Sequence, residues 1–285
     1  MKVRSGSNVP DLISVIITTY DREDALNAVL GALSRQNDRG FEVVIADDGS
    51  GPGTAALLER WRPRLGVSLG HVWQLNRGFR AAEIRNRALL TARGDYCIFL
   101  DGDCIAPTDF IATHRKLAEP GWFVTGNRVL LSPALTAAVL RDGSHPEAWG
   151  LSLWLAHRMR GGVNRLAGVL RLPLGPLRKL RPRHWRGARS CNLAVWRSDL
   201  DRVDGFDASF TGWGREDSDL LLRLLARIDD DAVVSPRGDD SSLNLHGRQI
   251  ERGAKVGGQG LVAGAPRKCC LNWSGVQSEP EWGLR

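Results

Sequence analysis

Apolar and polar positions alternate along the first hundred residues in blocks of two kinds. Residues 12–19 (LISVIITT) are a β-branched run that stops at Tyr20-Asp21, and the stretch after it places Leu26, Val29, Leu30 and Leu33 at helical spacing. The block FEVVIADDGSG repeats the form. A short apolar run stops at Asp47-Asp48-Gly49-Ser50-Gly51, and Ala55, Leu58 and Trp61 then recur at helical spacing. Two strand-helix units side by side predict a parallel sheet. A third strand is predicted over 67–72, followed by the loop Gln74-Leu75-Asn76-Arg77-Gly78 and a helix over 81–92 that carries Arg85 and Asn86. A fourth apolar run, 96–100, ends in Asp101-Gly102-Asp103, and Pro107 is placed to open another helix where its missing N–H costs nothing. Polar residues thus end three strands. In an open α/β sheet those carboxyl ends share one edge, and that edge is where ligands bind.

The second half is patterned differently. Residues 148–198 hold eleven Lys or Arg and no Asp or Glu, interleaved with Trp and Leu, and read as a basic, partly helical insertion. A strand is predicted within 190–200. A glycine-punctuated loop then enters an amphipathic helix near Glu216, with a short strand at 232–234 and the segment SLNLHGR beyond it. The divisions read from this are 1–130, 131–250 including the insertion, and a Gly-rich tail, 251–285, without an assigned element.

Composition narrows the classes. At 285 residues and 42% hydrophobic content the chain can bury one sizeable core. A net charge of +7 admits an anionic partner: nucleic acid, phosphorylated glycan, anionic lipid or a nucleotide. No nucleic-acid-binding motif accompanies the charge, so nucleic acid is not the expected partner. The cationic, Leu- and Trp-bearing insertion suits an anionic membrane surface or a phosphorylated acceptor. Five cysteines form no CxxC pair, and the N-terminal apolar run is too short for a signal or a membrane span. The expected location is cytoplasmic, with peripheral attachment to the inner face of the membrane as a further expectation.

Asp101 and Asp103 stand two apart at the end of a buried strand, so a turn at Gly102 can aim both carboxylates at one hard cation, Mg²⁺ or Mn²⁺. A solvated acidic turn has the same sequence. His246 could add an imidazole nitrogen to the metal. Glu216-Asp217 opens a helix after Gly212-Trp213-Gly214-Arg215, where the macrodipole keeps a carboxylate ionised and able to act as a general base. Trp213 could sit flat against a sugar ring or fill the core. Thr19, Tyr20, Asp21, Asp47 and Asp48 end the first two strands and could hold a base or ribose hydroxyls, with Arg77, Arg85 and Asn86 toward a diphosphate. Carboxylates at strand ends also commonly cap the next helix.

The order of SVIITTYDRE, VVIADDGSG and NRGFRAAEIRNRALLTARGDYCIFLDGDC resembles the family 2 glycosyltransferases of the GT-A fold, and NLAVWRSDLDRVDGFDASFTGWGREDSDLLLRL is similar to the acceptor-side region of β-1,4-galactosyltransferases and chondroitin-polymerase-type enzymes. The resemblance implies an α/β, Rossmann-like, mostly parallel sheet flanked by helices, with the nucleotide sugar in the 1–130 half. It implies an inverting, metal-dependent transfer of a hexose or N-acetylhexosamine from a UDP-sugar to a glycan hydroxyl, free or lipid-linked, with Mn²⁺ favoured over Mg²⁺. By the same match Asp103 and His246 hold the metal, and Asp101 and Gly102 lie at the ribose or metal. Asp48 faces uracil, Asp217 is the base, and Glu216 and Trp213 bind the acceptor. Arg215 departs from the galactosyltransferase pattern, which has a second glycine there. Two alternatives stay open: a nucleotidyltransferase acting on sugar phosphates, although no Gly-rich, Lys-bearing phosphate loop is seen, and a basic nucleic-acid-binding protein.

Overall fold

The computed structural model of the chain describes residues 9–166, 169, 190–212, 214–233 and 270–273. Its first half is a run of strand-helix units: β1 (Ile13–Thr19), α1 (Glu23–Ser34), β2 (Phe41–Asp47), α2 (Pro52–Leu65), β3 (Leu69–Trp73), α3 (Ala81–Thr91) and β4 (Tyr96–Asp101). With β6 (Val124–Thr125) and β8 (Asn192–Trp196) these strands form one six-stranded sheet in the order β3-β2-β1-β4-β8-β6. Strands β1 to β4 are parallel; β8 runs antiparallel to both β4 and β6. The fold is the predicted α/β, mostly parallel sheet.

The sheet is covered on both faces, which is why its strands read as unbroken apolar runs. Successive side chains of β1 point to opposite sides. Ile13, Val15 and Ile17 join Leu26, Val29, Leu30 and Leu33 of α1 and Leu57 and Leu58 of α2 in one core. Ile16 faces the other way, into a second core with Ala82, Ala88 and Leu89 of α3, Leu193 and Val195 of β8, and Leu220, Leu221 and Leu224 of α8 (Glu216–Val233). Three layers result.

The register sets the ligand edge. Thr19 pairs with Asp47 and Thr18 with Asp101, so three carboxyl ends lie side by side. Because β8 is antiparallel, its amino end is brought to the same edge, with Asn192 opposite Leu100. A smaller sheet follows in the order β5-β9-β7: β5 (Cys104–Ile105), β9 (Cys270–Trp273) and β7 (Asn127–Leu130). Strand β9 comes from the tail for which the sequence pattern assigns no element.

Three predicted elements differ. The strand expected at 232–234 is absent up to its last residue, since α8 continues to Val233: no glycine or proline interrupts the helical period there. Pro107 does not open the next helix. It lies in a preceding turn, its carbonyl accepting from Phe110 N, and α4 (Phe110–Leu117) starts after Asp109. The basic span 148–198 is not all insertion, because β8 within it is a fully buried strand of the main sheet. Its earlier part includes α6 (Leu151–Met159), which follows α5 (Pro133–Asp142), while residues 170–189 lie outside the described part. Cys97, Cys104 and Cys191 are buried and take part in no disulfide. Among the described residues no helix is long and apolar enough to cross a membrane.

Candidate active site

A cleft of about 730 Å³ opens at the carboxyl edge, a size ordinary for a small-molecule site. Its walls include Thr18, Thr19 and Tyr20 from β1, Asp48 after β2, Asp101, Gly102 and Asp103 after β4, and Arg85 from α3. Ser190 and Cys191 come from the approach to β8, and Arg215, Glu216 and Asp217 from the start of α8.

Two glycines let the loops close up. A Cβ on Gly102 would sit 3.0 Å from Thr18 O and Thr19 Oγ1, and Gly102 N donates to Thr18 O at 2.8 Å, so the Asp101–Asp103 turn lies against the end of β1. Gly49 has φ +96°, and a Cβ there would come within 2.5 Å of Asn76 N. Tyr20, half exposed at the mouth, accepts through its hydroxyl from Asn76 Nδ2 at 2.8 Å.

The centre of the site is Arg85, buried and charged. Its guanidinium lies 3.6 Å from Asp101 Oδ1, 3.3 Å from Glu216 Oε1 and 3.7 Å from Asp217 Oδ1, and Nε donates to Thr18 Oγ1 at 3.0 Å. The guanidinium also lies over the Phe206 ring, 5.3 Å from its centroid. One cation therefore gathers carboxylates from the end of β4 and the start of α8. Asp217 Oδ2 further accepts from Ser190 N at 3.1 Å, while its Oδ1 and Glu216 Oε2 have no hydrogen-bond partner. The first turn of α8 holds Glu216, Asp217 and Asp219, where the helix dipole favours negative charge. Behind the site, His114 of α4 bonds Asn192 Oδ1 through Nε2 at 3.0 Å; burial pulls its imidazole down to about 4, so it braces β8 as a neutral ring.

The ligand atoms of Asp101, Asp103 and Cys104 all lie within 4.8 Å of one another. Burial pushes the Asp101 carboxyl up to about 6; Arg85 opposes the shift, and the charges of Asp103 and Asp217 add to it. The Cys104 thiol is soft and wholly buried, and is directed at Asp103 Oδ1 at 3.5 Å. The two carboxylates are hard oxygens on the cleft. This donor set fits a hard divalent cation, Mg²⁺ or Mn²⁺.

Thr19, Tyr20, Asp48, Arg85, Asp101, Gly102, Asp103, Glu216 and Asp217 are thus brought to one cleft. Asp21 and Arg77 are not among its lining residues. Asp21 caps the α2 entrance instead, its Oδ1 accepting from Gly51 N at 2.8 Å, and Arg77 is exposed beside the lining residues Asn76 and Gly78. Asp47 is turned away too, paired with His71 Nε2 at 2.9 Å. Asp48 reaches the cleft, yet both its oxygens already accept, from Gln74 Nε2 at 2.6 Å and Arg80 N at 2.8 Å. Asn86 is a tie rather than a ligand: its side-chain amide exchanges two hydrogen bonds with the backbone of Phe206. Trp213 and His246 lie outside the described residues. Sequence reading missed Arg128, Ser190 and Cys191. The last two could have been found from the antiparallel β8, whose entry must fall at the ligand edge; Arg128 carries no local signal.

The sequence profile of Glycosyl transferase family 2 matches residues 14–155, and that of the N-terminal domain of galactosyltransferase matches residues 178–228. Validoxylamine A glucosyltransferase of Streptomyces hygroscopicus subsp. limoneus is 32% identical over 77% of this chain and 49% of its own length. Chondroitin synthase of Pasteurella multocida (strain Pm70) is 27% identical over 75% of this chain and 23% of its own length. The chain thus spans about half the length of the first relative and about a quarter of the second.

Proposed function

We propose, from the premise that this chain belongs to glycosyl transferase family 2, that it transfers a hexose or N-acetylhexosamine from a UDP-sugar to a glycan hydroxyl with inversion. The observation that carries the proposal is the Arg85 clamp, which unites the Asp101–Asp103 turn and the Glu216-Asp217 helix start on one cleft. The glucosyltransferase and polysaccharide-synthase relatives support sugar transfer as the reaction class.

In this reading Thr19, Tyr20 and Gly102 line the nucleotide side, with Tyr20 offering an aromatic face to the base. Asp48 meets uracil through the lone pairs its two hydrogen bonds leave free. Asp101 and Asp103 hold Mn²⁺ or Mg²⁺, with His246 as a third ligand; the cation supplies neutralisation of the charge that grows on the leaving diphosphate. Asp217, in the first turn of α8 and 3.7 Å from the Arg85 guanidinium, takes the proton from the acceptor hydroxyl as it attacks the anomeric carbon opposite the leaving group. Glu216 Oε2, buried and without a hydrogen-bond partner, accepts from an acceptor hydroxyl. Trp213 stacks on the acceptor ring. The test is release of UDP from UDP-Glc, UDP-Gal and their N-acetylated forms. Turnover should require Mn²⁺ or Mg²⁺ and stop with EDTA, and metal-independent turnover, or none with any donor, would refute the proposal.

The acceptor side adds a membrane reading. On α6, Leu151, Leu155 and Met159 fall at four-residue spacing and are 58%, 49% and 81% exposed, with exposed Arg158 and Arg160 nearby. An apolar stripe beside cations suits the surface of an anionic bilayer, and hence peripheral attachment on the cytoplasmic face and a lipid-linked acceptor. Flotation with phosphatidylglycerol vesicles should carry the chain upward, and Leu155→Glu with Met159→Glu should release it. Equal flotation of the two proteins would end this part of the proposal.

A further inference from the structure

Arg215 is held at φ +80°, directly after Gly214 at +94° and three residues after Gly212 at +89°. Glycine enters this region freely, whereas a residue with a side chain is strained there, a strain tolerated where the side chain has a use. The Arg215 side chain is exposed on the cleft lining. The cleft has four guanidiniums, and the others are engaged. Arg85 is held by three carboxylates, Arg22 by Asp24 at 3.0 Å, and Arg128 by contacts of its own that include the field of Asp101. Among the described residues no hydrogen bond or ion pair engages the Arg215 side chain, although its backbone carbonyl accepts from Asp219 N at 2.9 Å. Glu216, the next residue, is 5% exposed and lines the same cleft with Oε2 unpartnered, so a ligand hydroxyl and a ligand anion can be met by adjacent residues.

We propose that Arg215 selects the acceptor by charge: the sugar presented to Asp217 carries an anionic group, a carboxylate or a phosphate, which the Arg215 guanidinium binds. A planar guanidinium matches either oxyanion with paired N–H donors, and a neutral sugar would leave it unused. The inference rests on the transferase reading above and adds a substrate class to it.

Methyl β-glucuronide, methyl β-glucoside 6-phosphate and methyl β-glucoside are titrated into the full chain loaded with UDP and Mn²⁺, as the native protein, Arg215→Gly and Arg215→Lys. The native chain should bind one anionic probe about tenfold or more tighter than the neutral glucoside, as a charged hydrogen bond warrants. Arg215→Gly should erase that preference with unchanged UDP affinity and equal or higher Tm, because glycine is at ease at this φ. Arg215→Lys should keep part of it. The tighter anion distinguishes a uronic acid from a phosphorylated sugar. Equal binding of all three probes by the native chain, an undiminished preference in Arg215→Gly, or a fall in UDP affinity in that variant would overturn the proposal, the last by assigning Arg215 to the donor diphosphate. Failure of the native chain to bind UDP would instead overturn the transferase reading itself.

Discussion

Asp217→Asn should abolish sugar transfer and leave UDP binding as it is. The carboxylate accepts from Ser190 N through Oδ2 and keeps Oδ1 free of hydrogen bonds, 3.7 Å from Arg85 Nη1. An asparagine carbonyl can take over the Ser190 bond, so the fold loses little. What disappears is the basicity, and general-base catalysis contributes about 10²–10⁴-fold, so kcat should fall by that much while the Kd for UDP stays within about twofold. Asp219→Asn is the control. That carboxylate is two residues further on and already bound to Arg223 at 2.7 Å, and its loss should leave transfer near the native rate. Transfer by Asp217→Asn within tenfold of native would remove Asp217 from the role of base.

The second large effect is on stability. Arg85→Met should unfold far earlier than the native protein, because it leaves Glu216 buried and Asp101 and Asp217 close together without the cation that gathers them. Removing one partner of a buried ionic group costs about 3–5 kcal/mol, which in a chain of this size lowers Tm by on the order of 10 °C. The loss has a sign in pH. Burial already raises the Asp101 carboxyl to about 6 against the opposing pull of Arg85, and without the guanidinium it rises further, so protonation relieves the variant more and the gap to native should narrow as pH falls from 7.5 toward 5. Arg85→Lys restores the charge but not the fork, and should recover part of the loss. A variant as stable as native at pH 7.5, or a gap that widens on acidification, would contradict the clamp.

The carboxyl edge was legible because parallel strands buried on both faces read as unbroken apolar runs, and the polar residues that stop them must lie together. Asp101 and Asp103 could be picked out for that reason, and Glu216 and Asp217 because they open an amphipathic helix after a glycine-punctuated loop. What joins them could not. Arg85 sits on an ordinary helical pattern, and its partner Glu216 is 131 residues away, a separation with no local signature. Asn86 beside it is indistinguishable in sequence from a ligand, although it ties α3 to Phe206. Asp21 lies off the cleft lining for the complementary reason: strand-end polar residues also close turns, as its bond from Gly51 N does. Strands of two to four residues, such as β5, β6, β7 and β9, are shorter than any period that reveals a strand.

Calorimetric titration of UDP into the native chain and into Asp103→Asn, each with Mn²⁺ and with EDTA, bears most directly on whether the cleft is a metal-assisted diphosphate site. The native chain should bind UDP about tenfold or more tighter with Mn²⁺ than with EDTA, a difference of about 1.4 kcal/mol, and Asp103→Asn should lose that gain. UDP affinity indifferent to both the metal and Asp103, or no UDP binding under any of the four conditions, would contradict it.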